Sequence, residues 1–264
     1  MFLFQHKKIR TIWRVALFLL LTSFVAPKIN FPETPNFHDS ERLTFRVRLL
    51  GISAGEMTAV AKKTEFDGNE VFHTVLRGKT TGLADKIYKV DDIYESFFDP
   101  ATNLPRKAIR NIREGSYRYY DEVLFNHGEK YIISQRKGKV EVPKNTLDMA
   151  AVFYYIRRLD IANLKLNDTI SISTYFGDSL FPFHIVYKGR ETITINSGEY
   201  RCLKFIPVVE TGRVFKNEDD MKIWFSDDAN KIPVSIRFDI WAGSFKCELS
   251  GFENLKYPLT AKIK

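Results

Sequence analysis

Residues 51–55, Gly-Ile-Ser-Ala-Gly, fit the pattern G-x-S-x-G. In α/β-hydrolases that pattern places a nucleophilic serine on a sharp turn between a strand and a helix. Ser53 would then attack, with a histidine as base and a carboxylate to orient it. Such an elbow needs a long helix after the serine and alternating βα units around it. The segment after Gly55, EMTAVAKKTEF, soon reaches the turn signal Asp67-Gly68. It reads as a short helix by propensity, or as a strand with Met57, Ala59 and Ala61 on one face. The chain as a whole offers one good helix. The favoured reading is that Gly51 and Gly55 permit a bend or bulge between two strands, and that Ser53 is incidental.

The other chemically capable residues are scattered. Asp91-Asp92, Asp219-Asp220 and Asp227-Asp228 are carboxylate pairs, a composition that can serve acid–base work. Neighbours on a strand point to opposite faces, so a sequence pair is not a spatial pair. Asp227 and Asp228 fall where MKIWF must turn into PVSIRF, and turn duty is expected of them and of Pro233. The five histidines, at 6, 38, 73, 127 and 184, never reach a metal-binding spacing. Cys202 and Cys247 form no C-x-x-C. Cys247 alternates with Phe245 and Leu249 and should face inward, whereas Cys202 alternates with Lys204 and should face outward. Separate thiols are favoured over a disulfide, which an oxidising compartment would permit. No Gly-rich phosphate loop is present. No cofactor or metal is expected, and no catalytic set is coherent.

The N-terminus has an export pattern. Lys7, Lys8, Arg10 and Arg14 precede the apolar run VALFLLLTSFVA, which is too short for a comfortable membrane span. Residues 1–26 are read as a signal peptide, with an uncleaved anchor as the other reading, because Phe24 and Pro27 make a poor cleavage site. Residues 27–41, with three prolines, read as a linker, and 42–258 as one β-rich domain. Removing the signal lowers the formal net charge of +8 by four. The remaining cations are spread along the chain, which argues against a nucleic-acid partner and leaves weak affinity for anionic lipid surfaces.

From Arg42 onward the pattern has period two. LTFRVRLL, EVFHTVLRG, DDIYESFFD, RKAIRNI, SYRYYDEVLF, KYIISQR and KVEV are separated by short Gly- or Asp-containing turns. So are TISISTYF, FHIVYKG, ETITI, EYRCLKFIPVV, MKIWFSD, PVSIRFDIW and FKCELSGF. The prediction is a mainly β protein: a large curved antiparallel meander or half-open barrel, because so many strands must curl. Residues 146–160, TLDMAAVFYYIRRLD, break the alternation. Thr146 is the expected N-cap, and Arg157 and Arg158 complement the last turn. Met149, Val152, Phe153, Ile156 and Leu159 share one face, so the helix should pack in or across the concave side, as core or as a movable lid.

NSGEYRCLKFIPVVETG followed by MKIWFSDDANKIPVSIRFDIWAGSFKCELSGF resembles the bacterial envelope family catalogued as domain of unknown function 3108. Leu50, Gly51, Ala54 and Gly55 match that family's early Leu-Gly-x-x-Ala-Gly pattern, and YYIRRLD stands where the family has a helix. The resemblance spans roughly residues 40–255. It implies an exported β-rich domain of the periplasm or envelope and supplies no catalytic residues. Its topology is similar to lipoprotein-localisation carriers, whose incomplete barrels hold acyl chains.

Together these readings predict a non-enzymatic envelope protein that holds a lipid, acyl chain or other apolar ligand, with Phe153, Ile156, Phe205, Trp224 and Trp241 as candidate lining. The rivals are a solid-cored scaffold for an envelope protein partner, and a hydrolase using Ser53.

Overall fold

The computed structural model describes residues 34–208, 220–240 and 243–264. The expected signal peptide and Trp241 lie outside them. The described strands are β1 (Glu41–Leu49), β2 (Ile52–Phe66), β3 (Asn69–Thr80), β4 (Asp91–Phe98), β5 (Pro105–Glu114), β6 (Tyr117–Asn126), β7 (Tyr131–Ser134) and β8 (Gly138–Glu141). After the main helix come β9 (Thr169–Phe176), β10 (Ser179–Ile195), β11 (Gly198–Pro207), β12 (Met221–Ser226), β13 (Pro233–Ile240) and β14 (Gly243–Glu253). They form one antiparallel sheet in the order β8-β7-β6-β5-β4-β3-β2-β1-β14-β13-β12-β11-β10-β9. Every neighbour is a hairpin neighbour except β1 and β14, which join the two wings with Arg42 opposite Glu253.

The sheet curls until its wings meet, as the period-two pattern predicts. The ladder does not close. Side chains bridge the seam instead: Tyr94 stacks on Phe176 at 6.2 Å, the Tyr119 hydroxyl donates to Asp178, and Arg136 lies 3.8 Å from Asp178. The Arg110 guanidinium sits over both the Tyr119 and Phe176 rings. Leu147 also pairs with the free edge of β9, donating to Ser173 O and accepting from Tyr175 N. Covering that edge removes a template for pairing with other chains.

The helix of the sequence reading is α2 (Met149–Arg157), which runs inside the curl; a six-residue α1 (Gly82–Ile87) precedes β4. The N-cap of α2 is Asp148, not Thr146. Asp148 Oδ1 accepts from Ala150 N and Ala151 N, satisfying two orphan donors of the first turn. Thr146 instead donates to Pro143 O and lies 2.8 Å from the Ser173 hydroxyl, which ties the incoming chain to β9. The helix is buried on more than its apolar stripe, since Ala150, Ala151, Tyr154 and Arg157 are buried along with Val152 and Ile156.

Residues 27–41 do not read as linker throughout. Asn36 and Phe37 are buried. Phe37 packs edge-on against Phe72, Phe98 and Tyr154 and seals one end of the barrel. Beyond residue 258, Arg201 N donates to Ala261 O and Ile263 N to Glu199 O, so the chain's end adds to β11. Both cysteines are buried free thiols, Cys202 included, and burial pushes each up to about 12.

GISAG is a strand–turn–strand. Leu49 pairs with Ile52 around a two-residue turn in which Leu50 and Gly51 have φ of 51° and 81°, the mirror-image turn that suits hairpin twist. The register then slips: Arg48 faces Ser53 while Val47 faces Gly55, so Ala54 is the extra residue of a bulge. Its carbonyl accepts from Thr81 N. At Gly55 a Cβ would lie 2.4 Å from the Lys79 carbonyl oxygen. Gly55→Val should therefore push β3 off β2 and cost about 2–3 kcal/mol. Gly51→Val, strained by its positive φ, should cost about 1–2 kcal/mol, and Ser53→Ala should be silent. Urea unfolding of the three variants checks the order, and a costly Ser53→Ala would contradict it.

Candidate functional site

Between α2 and the inner faces of β2, β3, β4, β12 and β13 lies a cavity of about 410 Å³, within the roughly 300–1,000 Å³ of small-molecule sites. Met57 and Leu76 line one wall, Ile223, Phe225 and Ile236 the other, and Met149, Val152, Phe153 and Ile156 the helix side. These residues reach the interior because alternate strand positions share a face and the i, i+3, i+4 positions of a helix share another. Methionines and phenylalanines make the lining adaptable as well as apolar.

Among the described residues, one end of this space is shut and the other is not. At the shut end the Arg157 guanidinium makes a two-pronged ion pair with Glu41, at 2.5 and 2.9 Å, and donates to Asn230 O. The side chains of Glu41 and Arg157 are 0% exposed. Asn36 donates to Arg157 O and to Asn230 O, so the helix C-terminus, the chain before β1 and the β12–β13 turn meet at one point. At the other end Gly78, Asp92 and Tyr94 enter the lining. Asp92 Oδ1 accepts from Arg113 N. Burial, and then the neighbouring Asp92 carboxylate, raises Glu114 above the ordinary carboxylate range. Burial likewise raises the Tyr94 phenol, with Arg110 opposing the shift. The cavity is thus apolar along its length and polar near its open end.

Phe153 and Ile156 line the cavity. Phe205 and Trp224 do not. Phe205 is packed into the core against Tyr187 and Phe225. Trp224 lies opposite Ile223 and Phe225 in the alternation of β12, where its indole donates to Glu191 and its ring lies under the Lys204 ammonium. A tryptophan with a polar partner is placed by its N–H as much as by its ring. Pro233, read only as a turn residue, lines the cavity as well. Asp228 does turn duty, accepting from Asn230 N, Lys231 N and Ala261 N, while Asp227 pairs with Arg190.

Among the described residues no other chemistry assembles. Ser53 is exposed, and no described histidine or carboxylate hydrogen-bonds it. His73 pairs with Glu95, His127 with Pro105 O and His184 with Ser171. Among the described residues no three metal-ligating side chains cluster.

Among the described residues, Asp148 is the one strongly displaced carboxyl beside the cavity. Burial pushes it up to about 6, against the opposing hydrogen bonds from Ser96, Ala151 and Ala150. The fold therefore favours the protonated form. That contribution is complete below the unfolded value near 4 and is lost as pH rises through about 6, a span worth about 3 kcal/mol. Asp148→Asn keeps a capping oxygen. Compared with it, the wild type should lose stability between pH 4 and 6 and run parallel above. Urea midpoints across that range test this, and a difference flat with pH would refute it.

Fold and cavity together define a class: a half-open antiparallel barrel, shut at one end, with a buried helix walling an apolar cavity. The chain belongs to the family described as protein of unknown function DUF3108, whose model matches residues 44–250. No curated protein matches. Among solved structures, the chain is similar to a β-barrel-like protein of domain of unknown function DUF1849 from Brucella abortus, at 12% identity, 85% of this chain, 99% of that one and a TM-score of 0.55. That likeness shows the fold. A DUF1089 family protein from Pseudomonas aeruginosa matches at 10% identity over 75% of this chain and 90% of that one, with a TM-score of 0.33, too low to carry an argument.

Proposed function

We propose that this protein is a non-enzymatic, exported envelope protein that holds the apolar chain of an amphipathic ligand, a lipid or fatty acid. The observation that carries the reading is the cavity of about 410 Å³ between α2 and the sheet. Its apolar walls suit an acyl chain, because each buried methylene contributes about 0.8 kcal/mol. Its polar end, at Asp92 and Tyr94, suits a head group that stays near water. The basic and apolar N-terminal pattern supports export. The resemblance to lipoprotein-localisation carriers agrees with the cavity, although a shared fold does not fix function.

Protein purified from its native envelope should carry a lipid enriched over the bulk extract, read by mass spectrometry. Protein stripped of lipid should bind a fluorescent fatty acid. A clean protein that also ignores the probe would end this reading in favour of a scaffold.

A further inference from the structure

We propose that the open end of the barrel docks on an anionic phospholipid bilayer. In an antiparallel meander successive turns alternate between the two ends. The β1–β2 turn, α1 and the β5–β6 turn therefore share the open end, away from the Arg157–Glu41 seal. These elements are joined. Thr81 N donates to Ala54 O, Gly115 N donates to Lys89 O, and the Tyr88 ring lies over Gly115. Along them large apolar side chains stand in solvent: Ile52 at 71% exposure, Leu83 at 70% and Ile87 at 76%, with Leu50, Tyr88 and Tyr117 also exposed. Helix α1 buries none of its residues.

Charge decides the occupant. Lys86, Lys89 and Arg118 are interspersed with these residues, and among the described residues none of the three forms an ion pair with a carboxylate. Of the nearby carboxylates, Asp91 is paired with Arg77 and Asp178 with Arg136; Asp85 accepts from the Thr80 hydroxyl and Asp92 from Arg113 N, and Glu114 lies beside Asp92 with burial and that neighbour holding it above the ordinary carboxylate range. Aliphatic tips on separate turns, with cations between them that no carboxylate pairs and with Arg118 resting on the Gly115 and Tyr117 carbonyl oxygens, match an anionic head-group layer over an apolar interior. No described helix is long and apolar enough to cross a membrane, so the contact is interfacial. The proposal stands on exposure and charge, not on what fills the cavity.

Both native thiols are buried, so a single nitroxide can be placed on the full-length chain at Leu83→Cys, or at Leu166→Cys beyond the C-terminal end of α2. With vesicles of phosphatidylglycerol and phosphatidylethanolamine, the label at 83 should become accessible to oxygen and at least about fivefold less accessible to a nickel chelate. The label at 166 should stay aqueous. Phosphatidylcholine vesicles should leave both aqueous, and Lys86→Glu with Lys89→Glu should weaken the immersion about tenfold. Protein that floats with vesicles while the label at 83 stays in water is held by its N-terminus, and the proposal fails. Equal immersion in phosphatidylcholine overturns the anionic assignment. Spin–spin broadening without vesicles means that a second copy covers the patch, which also overturns it. Fatty-acid binding is read separately on the same labelled protein, so loss of docking and loss of the cavity function are told apart.

Discussion

Arg157→Ala is expected to destabilise the protein by about 3–5 kcal/mol, the cost of leaving a buried charge without its partner. Glu41 sits at the first position of β1, opposite Ala61, with no exposure. Its carboxylate accepts both terminal nitrogens of Arg157. The guanidinium is further held over Phe37 and Tyr154 and against Asn230 O. Truncation strands Glu41 and frees the end of α2. The pair itself need not be net stabilising, since taking two charges out of water offsets most of their attraction. The double variant Glu41→Leu, Arg157→Met should accordingly recover most of the loss. Urea midpoints of the wild type, the single and the double variants form the test. A double variant as weak as the single one would mean that shape, not unpaired charge, is the cause.

The second large effect is on binding. Gly78 lies on β3 opposite Met57 and Asp92 and faces the cavity with no heavy atom within 4 Å of where a Cβ would stand. Gly78→Phe should fill the space that a ligand would use and abolish fatty-acid binding, a loss of a hundredfold or more. Thermal stability should hold or rise, because glycine inside a strand is unfavourable and the added ring packs on apolar walls. Fluorescent fatty-acid titration and a thermal melt of the same sample decide it. Unchanged affinity would place the ligand elsewhere.

Much of the fold is legible because its physics is local. Leu43 and Phe45 alternate with Arg42 and Thr44, and the structure buries the first two. The 146–160 break in the alternation marks the helix, and Phe153 and Ile156 on its apolar face reach the cavity. What is not legible depends on partners distant in sequence. Asp148 displaces Thr146 as cap because Ser96, on β4, meets its other carboxyl oxygen. Asn36, Phe37 and Glu41 look like linker because the groups that bury them come from β3, β4, α2 and the β12–β13 turn. Trp224 reads as a lining aromatic until its neighbour Glu191, on another strand, accepts the indole N–H. The six-residue α1 is too short to show a period.

The pairing of β1 with β14 bears on how the molecule comes to exist. Arg42 meets Glu253, so the sheet's two wings join through the first and last of the described strands. Contacts of such sequence separation are slow to form, since a long loop must close before any ladder bond rewards it. A chain emerging with its N-terminus first presents β1 and β2 as a hairpin with one bare flank throughout its synthesis. Glu41 likewise waits for Arg157. The barrel should thus mature late and in one cooperative step, and nascent chains shorter than about β14 should remain susceptible to protease and in need of a holding partner.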